Sequence, residues 1–149
     1  MENKQIFEFS KNNTDGDLSL NDLLGGKGAN LAEMSKMGIP VPPGFTITTE
    51  VCNYFTKHKN LPENLDNKIK EAVVKLENIS DKSFGGQNTP LLLSVRSGGR
   101  TSMPGMMDSI LNIGLNDNNV SVLGENFNDE RFALDSYRRL IQMYSNVVL

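Results

Sequence analysis

The apolar positions of this chain fall into short, well-separated groups whose spacing changes along its length. "QIFEF" alternates in the manner of a strand, with Ile6 inward and Phe7 and Phe9 as further candidates for the inside. A polar loop, "SKNNTDGDLS", follows. "LLGGKGANLAEMSKMGIP" opens as a Gly-rich turn and becomes helical, with Leu31 and Met34 on the face of Leu24 and Gly28. Gly38, with Pro40 two residues on, ends that helix. "VPPGFTITTE" is a stiff lead into a strand that sends Phe45 and Ile47 the same way. Thr49 can cap a short helix carrying Val51, Tyr54 and Phe55.

The clearest helical period covers Pro62 to Ile79. Leu65, Ile69, Ala72, Val73 and Leu76 form one stripe, Asn60 suits the cap, and Pro62 and Glu63 suit the first turn. "SFGGQNTP" is a loop and "LLLSV" an unbroken apolar run of the kind that forms a buried strand. "SILNIGL" is a second strand, with Leu111, Ile113 and Leu115 inward. After a turn at "NDNN", a long helix runs from about Asp129, with Ala133, Tyr137, Leu140, Ile141, Tyr144 and Val148 apolar. The pattern predicts an α+β fold with no internal repeat or linker.

The apolar period is still running at "SNVVL", with no glycine cap and no basic last turn. Two readings fit: a C-terminal helix docked on the core, or a chain whose next element would cover those residues.

Composition narrows the function. The chain has 149 residues, 38% apolar and 22% charged, enough for one ordinary domain. A net charge of −3 gives no support to a nucleic-acid or membrane partner. A lone cysteine, Cys52, rules out an internal disulfide and Cys-rich zinc patterns, and its apolar neighbour Val51 suggests a core thiol. No apolar run reaches membrane-spanning length, the first residues lack a signal-peptide core, and the cytosol is the simplest compartment.

Two segments carry candidate chemistry. "LGGKGANL" places three glycines around Lys27 at a helix start. Glycine lets the backbone approach an anion, the helix start offers unpaired N–H groups, and Lys27 adds a full positive charge. It is neither a Walker A motif nor G-x-G-x-x-G. A Gly-rich turn with a solvated lysine is the plainer alternative. "SVRSGGRTSMPG" sets Arg96 at the end of an expected buried strand, where a guanidinium needs a partner: a phosphate, or a carboxylate such as Asp108 or Asp135. The Ser97-Gly98-Gly99 turn can add N–H groups, and Arg100, Thr101 and Ser102 further donors. Two glycine-plus-cation elements together favour phosphate. Met103, Met106 and Met107 suit packing, and Arg138 and Arg139 are helix charges, one of which could face the site. His58 belongs to a polar helix end. No acceptor nucleophile and no metal-binding pair of carboxylates stands out.

"LLGGKGANLAEMSKMGIPVPPGFTITTE", "LLLSVRSGGRTSMPGMMDSILNIGLND" and "RFALDSYRRLIQMYSNVV" together resemble the N-terminal region of the pyruvate, phosphate dikinase family. Phosphoenolpyruvate synthases share "GGKG", "VPPGF" and "VRS", while "MPGMMDSILNIGLND" favours the dikinases. The resemblance covers residues 1–149 and implies the first subdomain of an ATP-grasp nucleotide-binding domain. It implies ATP, phosphate and pyruvate interconverting with AMP, pyrophosphate and phosphoenolpyruvate, with Mg²⁺. It maps ATP-phosphate contacts onto Lys27 and Arg96, places Arg100, Thr101 and Met103 in the matching loop, and puts Arg138 or Arg139 on a helix that reaches phosphate. The family's phosphohistidine motif, metal-binding carboxylates and barrel domain have no counterpart here, so Cys52 inherits no catalytic role. The resemblance therefore implies a fragment, catalytically incomplete alone, whose partners are ATP, phosphate and the remaining dikinase domains.

Overall fold

A computed structural model describes residues 4–98 and 109–149. Contacts divide the described residues into two compact units, residues 4–76 with 98, and residues 77–97 with 109–149.

The first unit pairs β1 (Ile6–Phe9) with β2 (Gly44–Ile47) in an antiparallel ribbon, Ile6 opposite Ile47 and Phe9 opposite Gly44. A Cβ on Gly44 would sit 2.6 Å from Cζ of Phe9, so the glycine admits that ring. Three helices complete the unit: α1 (Asn21–Lys36), α2 (Thr49–His58) and the start of α3 (Leu65–Ser80). Helix α1 packs on both strands and on α2 through a stripe of mostly small residues, Leu24, Gly25, Gly28, Ala29, Ala32 and Ser35. Leu31 and Met34, expected on that face, are only half-buried at its edge. Small side chains bring helix and ribbon close, and this closeness displaces the larger ones. Gly38, at φ 78°, ends α1 as expected, its N–H donating to the Ser35 carbonyl.

Thr48, one residue earlier than expected, holds the N-cap position of α2, but its side chain makes no capping hydrogen bond. It buries Val51 but leaves Tyr54, Phe55 and Cys52 exposed, so Cys52 is not a core thiol. Helix α3 starts at Leu65 rather than Pro62, because Asn64 takes a left-handed φ of 60° that no helical turn continues through. Its expected stripe holds, with Leu65, Ala72 and Leu76 buried. Lys68 donates to Gln5 and Lys75 pairs with Glu8 at 2.6 Å, tying α3 to the β1 segment.

The second unit holds two small ribbons. β3 (Ser83–Phe84) runs parallel to β4 (Pro90–Leu91), and β5 (Leu93–Arg96) antiparallel to β6 (Ser109–Ile113). The expected single buried strand over "LLLSV" is therefore two pieces. Pro90 and Leu91 are buried, while Ser94, Val95 and Arg96 are exposed. The inward residues of β6 also differ from expectation. Leu115 is buried as expected, but Ile110 is buried too, whereas Leu111 and Ile113 are half-buried. Asn112 at φ 62° and a register irregularity opposite Leu93 and Val95 reset the alternation within the strand.

Helices α4 (Val120–Phe127) and α5 (Glu130–Val148) cover this unit, and Leu115, Leu123 and Ala133 form its core. The sequence pattern gave no sign of α4. It contains two valines and a glycine, all weak helix formers. Gly124 is there for packing, since a Cβ would stand 3.2 Å from Cα of Glu130. Helix α5 begins where the pattern expects, at about Asp129, and the Asp129 side chain caps it by accepting from the Phe132 N–H at 2.9 Å. The mixture of helix and strand is compatible with α+β.

Candidate functional site

The strongest candidate is the start of α1. Gly25 sits at φ 70° and ψ 163°, a conformation essentially closed to residues with a side chain, and it interrupts the helix. The regular helix therefore begins at Gly26 and Lys27, one turn inside the span as a whole. N–H groups in the first turn after such a break lack the partners that an unbroken helix provides. Lys27 is exposed there, so a full positive charge stands beside the positive end of the helix dipole.

The three glycines differ in what the fold asks of them. Gly25 supplies the kink. Gly28 lets α1 meet β2, since a Cβ there would lie 2.7 Å from Cγ2 of Thr46. Gly26 has neither obligation, with only the Asn21 side chain at 3.8 Å and no left-handed φ. Of the three, the packing leaves only Gly26 free, the glycine immediately before Lys27. A neighbouring contact that no sequence pattern signals is Thr49 Oγ1 donating to the Asp22 carbonyl at 2.7 Å, which ties the start of α2 to the turn before Gly25.

The remaining candidates belong to the second unit or lie outside the described residues. Arg96 ends β5, opposite Ser109, and is exposed. The expectation of a buried guanidinium was therefore wrong: β5 pairs with β6 alone, and among the described residues nothing covers its final turn outward. Among the described residues no carboxylate pairs with it. Asp135, one possible partner, is taken by Arg138 at 2.8 Å and Arg139 at 2.7 Å. Both guanidiniums thus converge on one carboxylate, and Arg138 also donates to Gln142 at 3.1 Å. The hydrogen bonds from Arg138 and then Arg139 hold the Asp135 carboxyl below its usual range. Arg100, Thr101 and Met103 lie outside the described residues, as do Met106, Met107 and Asp108.

His58 is exposed at the end of α2, its ring 4.4 Å from that of Tyr54. Among the described residues no three His, Cys, Asp or Glu side chains are grouped to hold a metal ion.

Comparison with known proteins bears on this geometry. The family model described as pyruvate phosphate dikinase, AMP/ATP-binding domain, matches residues 21–84, a stretch that includes the whole α1 start. Pyruvate, phosphate dikinase of Rickettsia bellii is 56% identical over 147 residues, covering 98% of this chain and 17% of that protein. The enzyme so named from Rhizobium meliloti is 53% identical, covering 98% and 16%, and that of Clostridium symbiosum 50% identical, again covering 98% and 16%. The chain thus spans about one sixth of the length of the curated relatives it matches.

Proposed function

Residues 21–84 match the AMP/ATP-binding domain of pyruvate, phosphate dikinases and nearly the whole chain is similar to such enzymes, and from that premise we propose that it grips the phosphates of a nucleotide. The observation that carries the reading is the kinked α1 start, where a helix begins beside an exposed lysine and a glycine that packing does not require. Backbone N–H groups there would meet phosphate oxygens directly, and Lys27 would neutralise their charge. Arg96, exposed and without a carboxylate partner among the described residues, is the second cation of this reading. Arg100, Thr101 and Met103 would complete it as the adjoining loop, and Arg138 or Arg139 would join by leaving Asp135. The whole belongs, on this reading, to the first subdomain of an ATP-grasp domain in the cytoplasm.

The reaction is that of the larger enzymes: ATP, phosphate and pyruvate to AMP, pyrophosphate and phosphoenolpyruvate. The role of this chain in it is electrostatic. Lys27 and Arg96 would stabilise charge on the phosphates of ATP during transfer. Mg²⁺ would be held by carboxylates contributed from beyond these residues. The chain carries no phosphohistidine motif, so turnover by it alone is not expected.

Calorimetric titration with ATP, with and without Mg²⁺, tests the reading. Arg96→Ala and Lys27→Ala should each weaken binding by roughly 1.5–3 kcal/mol, the usual worth of a charge-assisted hydrogen bond. ATP binding that both substitutions leave unchanged would remove these residues from the site. No binding by the folded chain up to millimolar ATP would leave the second reading, a non-catalytic module that docks onto the rest of a dikinase. The exposed apolar surface of α5 favours that role.

A further inference from the structure

The break at Gly25 parts two backbone groups that an unbroken helix would join. In a continuous α-helix the Asp22 carbonyl accepts from the Gly26 N–H, four residues on. That bond needs helical dihedrals at Gly25, which instead stands at φ 70° and ψ 163°. A carbonyl deprived of its helical donor needs another. The fold brings one from α2: Thr49 Oγ1, 27 residues away in sequence, donates to the Asp22 carbonyl at 2.7 Å. The hydroxyl has taken the acceptor that a regular helix assigns to Gly26.

Gly26 is steadied from two further directions. Asn30 Nδ2 donates to its carbonyl at 2.7 Å. Two residues on, Thr46 of β2 lies so close that a Cβ on Gly28 would stand 2.7 Å from Cγ2 of the threonine. Thr48, beside Thr49, offers a contrast. It is only 2% exposed, yet its hydroxyl has no hydrogen-bond partner among the described residues.

We infer that Thr49 is a positioning residue for the phosphate contact: its hydroxyl occupies the Asp22 carbonyl in place of the Gly26 N–H and so keeps that N–H open to an anion. The inference rests on the nucleotide reading of the α1 start and adds a residue to it. Thr49 acts through Gly26 and not by touching phosphate. Glycine visits helical and left-handed dihedrals alike, so at position 25 it makes both the open and the closed turn reachable. Without the hydroxyl, the Asp22 carbonyl turns to the nearest donor on its own chain, the Gly26 N–H. A phosphate oxygen must then break that bond before it can bind.

Amide exchange read by NMR, together with calorimetric titration with ATP and Mg²⁺, tests this in the 149-residue chain. Thr49→Val keeps the shape and removes the donor. It should slow exchange of the Gly26 amide, and weaken ATP binding, by roughly three- to tenfold each, the effect of one neutral hydrogen bond. Thr49→Ser keeps the hydroxyl and should behave as the wild type in both. Thr48→Val makes the same chemical change one residue away, breaks no hydrogen bond and should move neither reading. A mere staple between α1 and α2 would lower the thermal midpoint in Thr49→Val without slowing Gly26 exchange, and that result overturns the inference. Wild-type ATP affinity retained by Thr49→Val overturns it as well. A wild-type chain that binds no ATP overturns the phosphate reading instead, and the exchange measurement, which involves no nucleotide, still decides whether Thr49 keeps the N–H open.

Discussion

Gly25, Gly26 and Gly28 are alike in the sequence and different in the molecule, and that difference can be tested one methyl group at a time. Gly25→Ala forces a side chain into a left-handed, extended conformation, and Gly28→Ala drives a Cβ to 2.7 Å from Thr46. Both should lower the thermal midpoint. Gly26→Ala meets only a contact at 3.8 Å, so it should leave stability unchanged or raise it by up to about 1 kcal/mol through helix propensity. If the α1 start holds phosphate, the same substitution should weaken ATP binding. Thermal unfolding and calorimetry on the three variants separate the glycine that serves a ligand from those that serve the fold. The sequence pattern showed that glycines cluster around Lys27. It could not assign their tasks, because those depend on Thr46, which approaches Gly28 only in the folded unit.

Among secondary-structure elements, legibility followed local chemistry. The stop of α1 at Gly38, the start of α5 at about Asp129 and the stripe of α3 each depend on a few neighbouring residues, and each could be read from the sequence. Helix α4 and the phase of β6 could not. Helix α4 is held by tertiary contact against its own propensity, and β6 changes phase at Asn112, whose side chain donates to the Ser136 carbonyl at 3.3 Å. Arg96 was misjudged for a related reason. An apolar run looks the same whether or not a neighbour covers it, and among the described residues β5 has only β6 as a strand neighbour. The turn before α4 depends on Asn119, fully buried, which donates to the Gly86 and Gly114 carbonyls at 3.1 and 2.9 Å and accepts from the Asn116 N–H at 2.8 Å. Asn119→Ala orphans these groups and should destabilise the protein by about 1–3 kcal/mol, measured by urea unfolding.

For the molecule as a whole, acid stability should turn on the ionic contacts around β1. Lys4 pairs with Asp15 at 2.9 Å, and Asp15 also accepts from the Glu8 N–H at 3.0 Å. Burial pushes the Asp15 carboxyl up. The hydrogen bonds from Lys4 and Glu8 and the charges of Lys4 and Lys75 outweigh it and hold the group below its usual 3.8. A carboxyl lowered by folding adds stability that is complete above its unfolded pKa and vanishes as pH falls through the folded one. Unfolding free energy should therefore decline as pH drops below about 4. Asp15→Asn should flatten that decline while lowering stability at neutral pH, as followed by urea titrations across the range.

The ribbon of β5 and β6 has a further consequence. Two strands alone leave outer backbone donors and acceptors without a strand neighbour among the described residues, and Val95 is 54% exposed beside them. Such a border is a template on which other extended chains can add. Solutions of this protein should therefore lose colloidal stability with rising concentration before they lose secondary structure. Lysine in place of Val95 should delay the onset of light scattering, because charge on a sheet border repels incoming strands.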